Sequence, residues 1–195
     1  MPNNLSAAGV FLISTLINMY VMVMLMRVLL PFVRANFYNP ISQFIVALTD
    51  PIIKPLRRFV PSYKKIDLPV ILLLFLVQFL KLTILFFVTR GTLGNPFGIS
   101  IWVVGDTLDQ LTTMYFYAII IRVVLSWVSA GGYVGASPLQ EILFLITEPV
   151  LRPFRRFIPP IAGIDLSPLV LMISIKLIEI IFIYPVIGFG VALAL

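Results

Sequence analysis

Four apolar stretches run through the chain, at about residues 10–33, 68–88, 99–128 and 168–195. A bilayer crossing takes roughly 20 residues at a rise of about 1.5 Å each, so every stretch predicts a membrane-spanning helix. The third is longer than a span needs and carries Asp106 and Asp109 near its start. The expected span there is residues 111–128, with the earlier residues as an outer helical extension or interfacial turn. Residues 91–98 (GTLGNPFG) read as a short Gly/Pro loop between the second and third spans.

The two longer connections have a pattern of their own. Asn39 and Ser137 each precede a proline, Pro40 and Pro138, and Gln140 stands where a capping box would place it. A helix is predicted to start at each. Ile41, Phe44, Ile45 and Leu48, and likewise Leu139, Ile142, Leu143 and Ile146, fall on one helical stripe. At about three turns these helices are too short to cross and are expected at the interface or against the bundle. Pro51 and Pro149 are predicted to end them, with Asp50 or Glu148 capping a following turn, and Pro55 and Pro153 to interrupt that turn again. The reading is a bent basic elbow at headgroup level, followed by Asp67, or Asp165 with Ser167 and Pro168, as the start of the next span.

The connections also match each other. TDPIIKPLRRFVP (residues 49–61) aligns with TEPVLRPFRRFIP (147–159), identical at seven of thirteen positions and conservative at the rest. The same offset of 98 pairs residues 66–68 with 164–166 (IDL) and Asn39-Pro40 with Ser137-Pro138. Internal duplication is the expected origin. It divides the chain into residues 1–90 and 99–195, each a span, an interfacial helix with its elbow and a second span, joined by loop 91–98. Units holding two spans insert in the same orientation, which predicts a pseudo-twofold axis along the membrane normal, unlike the inverted repeats of many transporters.

Composition agrees with a membrane protein. Hydrophobic residues make up 61% and charged residues 11% of the chain, against roughly half and a quarter in soluble domains, and the mean hydropathy is +1.10. The absence of cysteine and histidine excludes disulfides, Cys/His zinc sites and His-dependent catalysis. The formal charge of +6 lies mostly between the apolar runs, which directs it to anionic headgroups and not to nucleic acid. Arg34, Lys54, Arg57, Arg58, Lys64 and Lys65 occupy the first long connection and Arg152, Arg155 and Arg156 the second. The positive-inside rule places both in the cytoplasm and both termini on the periplasmic side. Residues 1–9 lack the cationic region of a signal peptide, so the first span is expected to be retained.

Candidate sites fall into two groups. Asp50, Arg57, Arg58, Glu148, Arg155 and Arg156 read either as recognition of a lipid or acidic partner, or as topology determinants in generic headgroup contact, worth about 1 kcal/mol per cation. Gln78 and Lys81, with Lys176 and Glu179, are polar positions inside spans, where a charge costs at least about 2.5–3.5 kcal/mol and must pair or face a wet cavity. They read as an ion path or as a Lys81 or Lys176 bridge to Glu179 that holds the units together. Arg27 and Arg122, near span ends, are expected to snorkel. Asp106 and Asp109 suit an outer cation site or a helix N-terminus equally. Met19, Met22, Met24 and Met26 read as packing residues.

The DP/EP, PxRRFxP and IDL elements together resemble the YggT family of bacterial inner-membrane proteins, called YlmG in Gram-positive bacteria and plastids, over essentially the whole chain in its two-repeat proteobacterial form. The first copy departs with Lys54 for Arg152 and a more cationic 62–65 segment. The resemblance implies an all-α, four-span inner-membrane protein linked to osmotic stress and ion homeostasis, with plastid relatives linked to cytochrome b6 haem assembly and membrane organisation. Residues and resemblance together point to a non-enzymatic scaffold or assembly factor without cofactor or metal. A small ion channel or transporter using Lys81, Lys176 and Glu179 is the alternative. Expected partners are anionic lipids, other membrane proteins or a second copy of the chain.

Overall fold

A computed structural model describes residues 4–63, 66–130, 137–158 and 165–195. Lys64, Lys65, Pro159, residues 160–163 and Ile164, which figured in the sequence comparison, lie outside them. The described chain is helical: α1 (Asn4–Phe32), α2 (Pro40–Leu56), α3 (Leu68–Arg90), α4 (Pro96–Ala130), α5 (Pro138–Phe157), α6 (Ser167–Ile178), a π-helical turn (Glu179–Ile183) and α7 (Tyr184–Ala194). Four stretches are long and apolar enough to cross a membrane: Ala8–Phe32, Leu68–Arg90, Pro96–Val128 and Ser167–Ala194.

The starts of α2 and α5 follow their caps. The Ile41 N–H donates to Asn39 Oδ1 at 2.9 Å, and Ser137 and Gln140 exchange backbone-to-side-chain bonds at 3.2 Å. The prolines do not break these helices as expected. α2 passes through Pro51 and Pro55, and α5 through Pro149 and Pro153. Each pair is one turn apart, so the missing N–H groups fall on one face, and all four prolines are exposed. The carbonyls they leave without an N–H donor belong to residues such as Ala47 and Pro51, which are themselves exposed. On the buried side Thr49 donates to the Ile45 carbonyl at 2.8 Å and Thr147 to that of Leu143 at 2.6 Å.

The buried stripe of α2 is Ser42, Ile45, Thr49 and Ile53, so of the predicted apolar stripe Ile45 packs on the bundle while Phe44 and Leu48 are exposed. In α5, Ile142, Leu143 and Ile146 are buried as the pattern requires, and Leu139 is exposed. The two helices touch: Asn39 Nδ2 donates to the Pro138 carbonyl and to Glu141 Oε2, both at 2.9 Å, and Leu30, Ile45, Ile142 and Ile146 share one cluster beneath. Both basic connections therefore sit at the same end of the bundle.

α4 is the centre of the fold and packs against every other span. It is one helix of 35 residues, so the residues before 111 continue the expected span as helix and form no interfacial turn. Asn95 caps it by accepting the Phe97 N–H at 3.0 Å, Pro96 occupies its first position, and Asp106 lies ten residues inside. Two helices approach each other most closely where α4 meets α7. A Cβ on Gly98 would stand 2.3 Å from Ala194 N, and one on Gly190 would stand 2.5 Å from Trp102 N. Small residues let the backbones pack without side chains between them. The π-turn lies immediately before Pro185, which has no N–H to return to the carbonyl of Ile181.

Apolar clusters fill the remaining contacts. Val21, Met24 and Leu25 of α1 meet Ile53, Val70, Leu73, Leu74 and Met114, while Ile119, Leu151, Leu171 and Ile175 join α4, α5 and α6. Of the methionines, Met24 is fully buried and Met19 exposed, consistent with packing on either side of α1.

Candidate functional site

The basic end holds two ionic lattices. In the first, Arg27 bonds Asp50 at 3.3 Å, Lys54 lies 3.3 Å from the same carboxylate, and Arg57 pairs with Asp67, which also accepts from Ser62 Oγ at 2.9 Å. In the second, Arg122 donates to Thr147 Oγ1 at 2.7 Å and Glu148 Oε2 at 2.6 Å, while Arg155 bridges Glu148 at 3.0 Å and Asp165 at 2.8 Å. Arg122 also stacks on the Phe144 ring at 4.7 Å. Arg27 and Arg122 thus turn inward to acids on α2 and α5 and do not snorkel. A buried partner is worth more to a guanidinium than a long reach to water. Asp50 and Glu148 serve these arginines and cap no further turn.

The acids before α3 and α6 act differently from each other. Asp67 spends its carboxylate on Arg57 and Ser62 and bonds no helix N–H, whereas Asp165 accepts the Ser167 N–H at 2.9 Å. Burial pushes the Asp165 carboxyl up, but the hydrogen bonds from Ser167 and Arg155 prevail and hold it below the ordinary aspartate value. Of the six motif residues, Asp50, Arg57, Glu148 and Arg155 are engaged within the fold. Arg58 and Arg156 are exposed, and next to them Phe59 and Phe157 are 83% and 85% exposed.

The intramembrane polar groups form two further clusters. Lys81 donates to Asp106 Oδ2 at 2.6 Å and to Asn18 Oδ1 at 3.0 Å, and Gln78 and Gln110 donate to the same Asp106 oxygen at 2.9 and 2.8 Å. Lys176 bonds Glu179 Oε2 at 2.7 Å and sits 4.8 Å from the Phe116 ring centroid. Lys81 therefore meets Asp106 and not Glu179, while the Lys176 to Glu179 pair forms. Lys81 lies 13 residues into α3 and Glu179 12 residues beyond Ser167, about 20 and 18 Å along their helices, so both pairs are deep in the span. Asp106 is inside the bundle and neutralised from α3, not at an outer mouth; Asp109, one turn on, is half-buried. Gln78 and Glu179 are fully buried, and Gln78 Oε1, Gln110 Oε1 and Glu179 Oε1 have no partner among the described residues.

Asn18 and Gln110 escaped the sequence reading. Their signal was present, because any hydrogen-bonding side chain inside an apolar run must find a partner there. Among the described residues no group of His, Cys, Asp and Glu is arranged to hold a metal ion.

The CCB3/YggT family model matches residues 6–88 and 101–186. An uncharacterized protein of Pseudomonas aeruginosa is 38% identical over 180 residues, covering 92% of this chain and 90% of the relative. The uncharacterized protein YggT of Escherichia coli K12 is 37% identical over 171 residues, 87% of this chain and 86% of its own. YlmG homolog protein 2, chloroplastic, of Arabidopsis thaliana is 34% identical over 67 residues, 34% of this chain and 25% of its own. No solved structure matches the chain.

Proposed function

The chain belongs to the CCB3/YggT family, and on that premise we propose that it is a non-enzymatic scaffold of the bacterial inner membrane whose working surface is the pair of arginine–phenylalanine corners ending α2 and α5. In this reading the protein is two parallel tandem units, with the basic end in the cytoplasm, the termini in the periplasm and α2 and α5 at the interface. The two stretches matched by the family model and the excess of cations at one end support it. Its proposed role is assembly of membrane partners that maintain osmotic or envelope balance.

One observation carries the proposal. Arg57 and Arg155 are locked to Asp67 and Asp165, which fixes the chain so that the next two residues, Arg-Phe in each case, stand out from the surface. A cation beside an exposed aromatic ring is a combination enriched at recognition surfaces. With a photo-crosslinking residue at Phe59 or Phe157 in whole cells, discrete protein adducts are expected. They should fall about tenfold when Arg58 and Arg156 are both changed to Ala, a loss of about 1.4 kcal/mol. Adducts to lipid alone, or protein adducts indifferent to the arginines, would refute the scaffold reading.

Ion conduction is a second reading, favoured by the burial of Glu179 at a π-turn with one carboxylate oxygen unpartnered among the described residues. It requires cation flux in liposomes of pure protein that Glu179→Gln abolishes. Absence of flux under every imposed gradient removes it.

A further inference from the structure

Behind the exposed corners, the basic end contains two clefts. One, of about 430 Å³, opens between the end of α4, the last turns of α5 and the start of α6, and is lined by Arg122, Ser126, Trp127, Arg155 and Asp165. The other, of about 320 Å³, lies between α1 and the connection from α2 to α3, and is lined by Arg27, Phe37, Arg57, Ser62 and Asp67. The same three polar elements recur in both: an arginine near the end of a span, the arginine of the RRF motif, and the aspartate that precedes the next span. An exposed aromatic residue stands at each cleft, Trp127 at 70% and Phe37 at 54%.

The charges decide what such a cleft holds. Arg122 and Arg155 are balanced by Glu148 and Asp165, while Arg27 and Arg57 face Asp50 and Asp67 with Lys54 as a further cation on Asp50, so the second lattice is neutral, the first carries one net positive charge, and both present both signs. An anion alone leaves the aspartate of such a site unmet, whereas a zwitterion satisfies both ends of it. Guanidinium N–H groups remain to bond a phosphate in a planar fork, and each aspartate oxygen has lone pairs left for an N–H donor. A quaternary ammonium supplies no such donor, but a primary ammonium does. The surroundings are those of a lipid: Val124 on α4 and Leu169 and Ile173 on α6 are exposed apolar residues, and aromatic side chains favour the membrane–water boundary.

We infer that each cleft is a headgroup site for a zwitterionic phospholipid with a primary amine, such as phosphatidylethanolamine, its phosphate on the two arginines and its ammonium on Asp67 or Asp165. The inference does not rest on the scaffold reading, since it uses Arg57 and Arg155 and leaves Arg58 and Arg156 free.

Native mass spectrometry of the delipidated full chain, supplied in turn with phosphatidylethanolamine, phosphatidylcholine and phosphatidylglycerol, tests it. Two phosphatidylethanolamine molecules per chain should be retained, at least fivefold over either other lipid. Ser126→Phe fills the larger cleft without touching an ion pair and should remove one of the two. Asp165→Asn should remove the preference for the primary amine at that site while phosphatidylethanolamine binding at the other cleft persists in the same protein, which shows that the variant is folded. Equal retention of all three lipids, preference for phosphatidylglycerol, or two bound lipids in Ser126→Phe would overturn the assignment. Displacement of the lipid by millimolar free phosphorylethanolamine would overturn the lipid in favour of a soluble ligand.

Discussion

Valine at Gly190 is expected to force α7 away from α4 and destabilise the protein by about 3 kcal/mol, the upper end of the overpacking range. The new Cβ would stand 2.5 Å from Trp102 N and 2.8 Å from Trp102 Cα. Backbone atoms in a helix cannot swing aside as a side chain can, so only separation of the two helices relieves the clash. Gly98→Val meets the same obstacle at Ala194 and should behave alike. Gly188 is the internal control. A Cβ there meets nothing within 4 Å, and Gly188→Ala should be neutral or stabilising by up to about 1 kcal/mol, the difference in helix propensity. The measurement is unfolding in a mixed-detergent titration followed by tryptophan emission, which Trp102 makes sensitive to this seam.

Lys81→Met is expected to cost about 3–5 kcal/mol, because it strands the Asp106 carboxylate deep in the span with amide donors alone from Gln78 and Gln110. Removing the charge on both sides is a different experiment. The double variant Lys81→Met with Asp106→Leu loses the pair but buries no net charge, and should recover most of the stability lost in the single variant. The same titration reads both. Equal loss in single and double variants would mean that the lysine acts through its packing, not through its charge.

The helical spans, the caps at Asn39 and Ser137 and the polar positions inside the spans were legible because each follows a local rule. What was missed follows from neighbours. Asp106 looks like the edge of a span until Lys81 and Gln78 arrive from α3 to neutralise it, and only then does α4 run unbroken from Pro96. Pro51 and Pro55 look like helix breakers until both are seen on the exposed face of α2, away from its buried stripe. Arg27 and Arg122 look like snorkelling cations until α2 and α5 fold back with Asp50 and Glu148. The glycines at 98 and 190 announce close approach, but nothing local tells which helix comes close.

The π-turn at residues 179–183 gives the last span a change of phase. In an unbroken α-helix a stripe of residues spaced four apart drifts about 40° per step around the axis. Leu171, Ile175, Glu179 and Ile183 form such a stripe and all are buried, and Gly190 and Ala194 are buried beyond it. The extra residue taken up by the wider turn cancels part of the drift, so one side of a long helix keeps facing the bundle. The register of the buried glutamate and that of the glycine seam are thereby tied together.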